Sequence, residues 1–586
     1  MANPVTGRTT LDGRPWVIAA IVVGIAALGL AAEFVAPPDP DNAFFLYAAG
    51  RVLDGAKLYV DVVEINPPLI IAFNFPPILI ARLIGVSELL VFRIGVACLL
   101  GLSILASQVG LRAVFSARDY RLRHYVTVLM AFVLFLLPGE VFSEREHLML
   151  ALVLPYLFLA IARQMERPVP VVHAHLVGGL AGFGFALKPQ FVLLWVALEL
   201  WLAASRRTAP RLRAENAWVV CVLAVYAVAA LTLTPEYLDV VRQLGGPYLA
   251  FLRNSPIVTL LFGEGTRLPL VVLLAYLALL TRLPRPGLVT GLAIAVLGLL
   301  LVGTIQGKGW AYHFYPASAT ALILLGLMVA TVTRPLTSLA SRVYGVVSYG
   351  LVAAVFVSSV VVGAWRVLEP RGPNVEPFPE FWALADLVRD RAEAQPIMVL
   401  SYHMRSAWPL VPYAGADWSL RYPSLWILWV LYRDQFTQPE PLVYRPSGTE
   451  SSLERSFKDA VLSDLEREEP RLIVVLGSAR DASGNDARRL DYLAYFSREP
   501  RFARQFAFYR YVATLGQHDV YERVAEPAPG PPARPPRHAQ GNLERATRPG
   551  LRFAFGGPEQ RVRFVIFLAA IGVALGTGWH RVRGEA

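Results

Sequence analysis

Apolar residues in this chain come in long runs, and most polar residues fall in the short gaps between them. A run of about 15 to 22 apolar residues at helical rise crosses a hydrocarbon core, so each run predicts a membrane-spanning helix. The runs cover 16–36, 89–109, 125–138, 148–162, 171–187, 190–204, 218–234, 268–281, 288–304, 317–333, 344–365 and 562–579. One further run, 67–85, carries two proline pairs. Pro76 and Pro77 lack amide donors and would break a crossing helix at its centre, so this run is expected to be interfacial or re-entrant. Counting it as a crossing would also put Arg112, Arg118, Arg121 and Arg123 on the outer side, against the rule that basic loops stay inside.

Between 369 and 523 the pattern changes to that of a soluble domain. Helical periodicity at 378–393, 453–468 and 488–496 alternates with strand-like runs at 397–401 and 472–476, which predicts a small α/β unit. The expected division is a cytoplasmic N-terminus at 1–15, a membrane domain at 16–365 with a first outer loop at 37–88, and a periplasmic α/β domain at 366–525. A Pro-rich linker at 526–561, a last span at 562–579 and a cytoplasmic tail at 580–586 complete it.

Composition agrees with the pattern. The 586 residues are 55% hydrophobic and 17% charged, with mean hydropathy +0.47, which marks a polytopic membrane protein embedded in a lipid bilayer. The net charge of +11 sits in short basic clusters between alternate spans, so it signals topology and gives no reason to invoke nucleic acid. Cys98 and Cys221 both lie inside apolar runs, which excludes a disulfide framework and a cysteine metal site. The first run follows Arg8 and Arg14 without a well-placed cleavage site, so it is expected to be retained as a helix.

Three outer loops gather the polar residues. The first holds Asp39, Asp41, Asp54, Asp61 and Glu64; the second, GEVFSEREH, holds Glu140, Glu144, Arg145, Glu146 and His147; the third, QGKGWAYHFYP, holds Lys308, Trp310, Tyr312, His313 and Tyr315. Lys188 stands at the outer end of a span. Carboxylates, cations and aromatic rings on one membrane face suit a phosphate leaving group and a carboxylate that accepts a hydroxyl proton. The commonplace alternatives are an N-cap for Asp41, a turn for Asp39, a snorkelling Lys188, a solvated ion pair at 144–147 and an interfacial aromatic belt at 310–315. Trp408, Trp418, Trp426 and Trp429 are candidates for acceptor contact, although packing is the commoner use of such rings.

An early Asp after the first span, then GAKLYVD and NPPL before a broken apolar helix, resembles the GT-C glycosyltransferases, the superfamily of protein O-mannosyltransferases, aminoarabinose transferases and arabinosyltransferases. The resemblance implies a GT-C fold: an α-helical polytopic membrane protein of about twelve transmembrane helices, juxtamembrane helices in the first outer loop, and a small periplasmic domain. It implies a transferase that takes sugar from a polyprenyl-phosphate donor and passes it to an envelope glycan, lipid or protein acceptor, with the active site on the periplasmic face of a bacterial inner membrane. By the same resemblance Asp41 is the catalytic base, with Asp39 the alternative. Lys188 and the segment with Tyr312 and His313 resemble positions near the donor phosphate, and Asp61 matches the family pattern for substrate binding; from their own places in the outer loops, Lys308 is expected to join the phosphate group and Glu144, Arg145, His147 and Trp310 to contact substrate. Two departures stand out: the acidic pair is Asp39-Pro40-Asp41 where mannosyltransferases have Asp-Glu, and QGKGW lacks an expected arginine, so the sugar stays open. No cofactor is called for with certainty; a divalent cation on Glu144 or His147 remains open because their spacing matches no ligand motif. A flippase of lipid-linked sugars would place ionisable residues within several spans near the midplane, and a polysaccharide polymerase or ligase would share the donor chemistry.

Overall fold

The computed structural model describes residues 15–331 apart from Ala36, 206–212, Glu264 and 284–285, and residues 380–527 apart from 438–441, Ser447 and 478–489, with a few positions between 350 and 361. The expected spans at 344–365 and 562–579 and the linker at 526–561 lie almost wholly outside the described residues.

Helix α1 (Pro15–Val35) is a span with few buried residues. Helix α2 (Pro40–Leu53) starts at a strong stop-start signal: the Asp39 carboxylate accepts the amide of Asp41 at 2.9 Å, and Pro40 fills the first turn, where its missing N–H costs nothing. The capping residue is therefore Asp39, and Asp41 points elsewhere. The proline-rich run forms α3 (Leu69–Phe73) and α4 (Phe75–Ile84). They part at Asn74, whose side chain donates to the Ile70 carbonyl at 2.8 Å; Pro76 and Pro77 open α4 rather than breaking a helix in its middle. Arg82 on α4 bonds Asp54 at 2.6 Å and Glu88 at 2.9 Å, which ties the end of α2 to the start of α5 (Glu88–Val114).

Helix α6 (Tyr120–Ala131) runs into one π-helical turn, Phe132–Leu136. Helix α7 (Arg145–Gln164) starts three residues before its apolar run, so Arg145, Glu146 and His147 occupy its first turn and are buried. It is the central helix, buried all round and packed on α5, α8 (Val171–Ala186), α14 (Pro286–Gln306) and α15 (Ala311–Thr331). Between these come α9 (Val192–Ser205), α10 (Ala214–Leu233), α11 (Glu236–Ala250), α12 (Pro256–Phe262) and α13 (Arg267–Leu279). Helices α8 and α10 meet so closely that a Cβ on Gly178 would lie 2.4 Å from the Glu215 carbonyl oxygen. Helix α15 begins at Ala311, six residues earlier than its apolar run, so Tyr312 and His313 sit on a helix and not in a loop. Among the described residues six helices, α1, α5, α7, α10, α14 and α15, are long and apolar enough to cross a membrane. The chain is a multi-pass membrane protein.

At the far end of α7 from Arg145, Arg163 bonds Glu215 at 3.0 Å, while Tyr156 donates to Glu199 at 2.8 Å and Asn216 to Glu199 at 2.7 Å. This network clips α7, α9 and α10 together and satisfies charges that apolar surroundings would otherwise penalise.

The second unit is built on a five-stranded sheet of β1 (Pro396–Leu400), β2 (Asp417–Trp418), β3 (Leu472–Leu476), β4 (Tyr509–Leu515) and β5 (His518–Arg523), in the order β2-β1-β3-β5-β4. The strands at β1 and β3 match the expected runs and pair in parallel; β5 pairs antiparallel with β3 and with β4. This unit rests on α2. Trp408 meets Phe44 with ring centroids 5.2 Å apart, the Trp418 amide donates to Tyr47 Oη at 3.1 Å, and the Val63 amide donates to the Arg421 carbonyl at 2.8 Å. Trp426 and Trp429 pack on Phe251, so all four tryptophans serve as packing residues.

Candidate active site

The N-terminal ends of α2, α7 and α15, the C-terminal end of α14 and the segment after α8 converge at one end of the bundle. Arg145, 2% exposed, reaches across 104 residues of sequence to bond Asp41 Oδ2 through Nη2 at 2.9 Å. Its Nη1 donates to Asn66 Oδ1, and its guanidinium lies 4.9 Å above the Phe45 ring. Asn66 is itself held by Glu64, whose Oε1 accepts the Ile65 amide at 2.9 Å, the Asn66 amide at 2.9 Å and Asn66 Nδ2 at 2.5 Å. Burial pushes the Glu64 carboxyl up from its ordinary pKa. Glu64, Asn66, Arg145 and Asp41 thus form one positioned chain.

Asp41 keeps a quarter of its side chain exposed, and its Oδ1 has no protein donor among the described residues. Asp39 is engaged differently. It caps α2, and its carboxyl lies beside that of Glu144 just before α7. Burial raises both pKa values, and for Glu144 the charges of Asp39 and Asp41 add to the rise.

Next to this carboxylate group lies a cationic one. Lys188 Nζ bonds Glu146 Oε1 at 2.6 Å and Gln306 Oε1 at 3.3 Å, and sits 5.3 Å from the Tyr312 ring. Burial lowers the Lys188 pKa and the Arg145 charge lowers it further, while Glu146 holds it up. His313 Nε2 lies 4.0 Å from the same Glu146 oxygen, and its ring packs against Tyr312 and Trp310 at centroid distances of 4.2 and 5.4 Å. Among the described residues, four buried polar atoms here have no protein partner: Glu144 Oε2, Arg145 Nε, Glu146 Oε2 and His313 Nδ1. Buried polar atoms are normally satisfied, so such a concentration marks a place where a polar ligand completes the hydrogen bonding.

The other expected residues have different surroundings. Lys308 is buried, but its ammonium donates to the Tyr248 carbonyl at 2.8 Å and to the Phe251 carbonyl, pinning the end of α11; burial and the Arg253 charge bring its pKa down to about 8. His147 accepts the Ser143 amide on Nδ1 and contacts the Leu134 carbonyl through Nε2, both at 2.9 Å, so both ring nitrogens are used within the protein. Asp61 is exposed and accepts the Lys57 amide at 2.8 Å in its own turn. Among the described residues no three His, Cys, Asp or Glu side chains gather to hold a metal ion. Glu64 and Glu146 stand out in the sequence only as members of polar loops and Asn66 only as the first residue of NPPL, none with a role of its own, and Gln306 not at all; polarity beside an apolar run is a signal that a solvated loop shares.

No family model matches the chain, and no curated protein sequence matches it. Solved structures do. ArnT from Cupriavidus metallidurans bound to undecaprenyl phosphate superposes with a TM-score of 0.51 at 13% identity, over 88% of this chain and 99% of that one. ArnT from the same organism in the apo state gives a TM-score of 0.49 at 16% identity, over 87% and 99%. The likeness to the first covers both the helical bundle and the sheet unit, and the chain has the GT-C fold.

Proposed function

We propose that this chain is a glycosyltransferase that moves a sugar from a polyprenyl-phosphate carrier to a hydroxyl of an envelope acceptor, on the periplasmic face of a bacterial inner membrane. The observation that carries this reading is the pairing of Asp41 with the buried Arg145, beside the buried Lys188–Glu146 pair, among polar atoms without a partner in the described residues, at one end of a membrane bundle. A neighbour of the same fold was crystallised with undecaprenyl phosphate, which supports the choice of carrier.

The donor phosphate lies against Arg145 Nε and Lys188, with Tyr312 and His313 beside it. Asp41 Oδ1 takes the acceptor proton while the acceptor oxygen attacks the anomeric carbon and the bond from that carbon to the phosphate oxygen breaks. The carrier phosphate leaves as an anion, so cations that meet developing negative charge serve it better than a general acid. Inversion at the anomeric carbon follows from a single displacement. Asp39 is the weaker base candidate because its carboxylate already caps α2. Lys308 acts on the donor only through the segment it pins.

The test is transfer from labelled polyprenyl-phosphate sugars in membranes holding wild type or Asp41→Asn. Loss of transfer with unchanged expression and donor binding supports the assignment. Equal transfer by the variant removes Asp41 as base, and movement of labelled lipid between leaflets without any transfer replaces the enzyme with a flippase.

A further inference from the structure

The sheet unit bears on the loop that carries Glu64 and Asn66, where the Val63 amide donates to the Arg421 carbonyl at 2.8 Å. Arg421 lies after β2 and outside any strand or helix, yet one carboxylate holds both its backbone and its side chain. Asp464, fully buried in the helix Ser452–Glu468, accepts the Arg421 amide on Oδ2 at 2.9 Å. It also accepts the guanidinium, with Nη2 to Oδ1 at 2.7 Å and Nε to the two oxygens at 3.2 and 3.1 Å. We infer that Asp464 is a positioning residue for sugar transfer: through Arg421 and Val63 it fixes the loop that aims Asn66 at Arg145, and so Arg145 at Asp41. The inference rests on the transferase reading above.

Three observations point there. The first is the support. The Ser419 amide and hydroxyl both donate to the Ile397 carbonyl of β1, at 3.1 and 2.9 Å, and the Trp418 indole donates to the Tyr422 carbonyl at 2.9 Å. The Arg421 carbonyl is thus offered from a stretch tied down on both sides. The second is the loop. The Tyr59 amide donates to the Val62 carbonyl at 2.7 Å, and Tyr59 Oη donates to the Asn66 carbonyl at 2.8 Å. Glu64 Oε1 collects the Ile65 and Asn66 amides and Asn66 Nδ2. Residues 59–66 therefore move as one body, and a shift at Val63 reaches the Asn66 side chain. The third is the carboxylate itself. Burying Asp464 removes its hydration and pairing it with Arg421 returns little net stability, so fold stability alone gives no reason for a charge there, whereas exact placement of Arg421 does.

The geometry of Arg145 carries the shift onward. Its guanidinium is a rigid fork, with Nη1 on Asn66 and Nη2 on Asp41, so moving one arm moves the other. The tie between Lys57 and Glu236 at the other end of the loop is an exposed ion pair, which constrains position little. A reacting group misplaced by about 1 Å loses up to roughly 100-fold in rate, so this loop needs the anchor that Arg421 supplies.

The full-length protein in vesicles of native envelope lipids, supplied with labelled polyprenyl-phosphate sugar, tests this with Asp464→Ala. Rate is expressed per donor-binding site, so a loss of folded protein lowers the number of sites and not kcat. The expected result is a fall of about tenfold in kcat per site, with donor KM within about twofold of wild type. If that variant yields no donor-binding sites, Asp464→Asn, which keeps an oxygen for the Arg421 amide, carries the test with an expected loss of about threefold. Asp464→Ala combined with Asn66→Ala should be no slower than Asn66→Ala alone to within about twofold, because both changes act on one contact of Arg145. An unchanged kcat per site, or losses that multiply in the double variant, would overturn the assignment. A second measurement does not depend on transfer: amide hydrogen exchange over residues 57–66 should quicken about tenfold in the Asp464 variant, with β1 and β3 unchanged. Unchanged exchange in that loop, or equal quickening in the strands, sinks the proposal. Quickening confined to the loop, in a protein whose wild type transfers no sugar, would keep Asp464 as the anchor of the loop while removing the transferase reading.

Discussion

Lys188 Nζ stands 2.6 Å from Glu146 Oε1, and both side chains are almost fully buried, on segments 42 residues apart. A buried ion pair contributes little net stability, yet removing one partner strands the other charge. Glu146→Ala should therefore destabilise the protein by about 3–5 kcal/mol. The double change Glu146→Leu with Lys188→Met should recover most of that in a thermal melt in detergent. Donor binding, measured with a polyprenyl-phosphate sugar, should stay lost in the double variant. If binding returns with stability, Lys188 is a packing residue only.

Asn66 links Glu64 to Arg145 and so to Asp41. Asn66→Ala should lower kcat by roughly 10- to 100-fold while changing the melting temperature little, since mispositioning a reacting group is costlier to rate than to stability. Comparable loss in both quantities would reduce Asn66 to a structural role.

The Asp39–Glu144 pair gives a pH signature. Both carboxyls have raised pKa values in the folded state, so between the unfolded values and the folded ones the native protein holds more protons than the unfolded chain. Stability from this pair is complete below the unfolded pKa values, near 4 for ordinary carboxyls, and falls as pH rises through the folded ones. Glu144→Gln should flatten the acid side of a plot of melting temperature against pH. A slope equal to that of wild type would show that the pair does not titrate as a unit.

Lys308 acts on the alkaline side with the opposite sign. Its pKa falls from 10.5 to about 8, so between those values the unfolded chain binds more protons and stability rises with pH. Lys308→Met should remove that rise between about pH 8 and 10, whatever its effect on absolute stability, because the slope and not the height reports the titration.

Much of the architecture was legible along the chain because it depends on short-range pattern. The strand at Leu472–Leu476 and the helix at Ser452–Glu468 fall where local periodicity puts them, and the six described spans begin or end within a few residues of their apolar runs. The starts of α7 and α15 were missed because polar residues that face a buried site look, in sequence, like loop residues. The β4–β5 hairpin was missed although its signal was present: alternating residues on either side of Gly516-Gln517, with Gly516 at φ +56°.

By itself, then, the sequence determined that the chain is a helical membrane protein with an appended sheet unit and that its chemistry-bearing residues crowd three loops. Only the tertiary structure decided which of them meet. Asp39 became the cap and Asp41 the partner of Arg145, Lys188 found Glu146, and Lys308 and His147 were taken up by backbone groups. Hydrophobic burial selects elements from local composition, whereas the pairing of charges depends on distances across the bundle that no local pattern encodes.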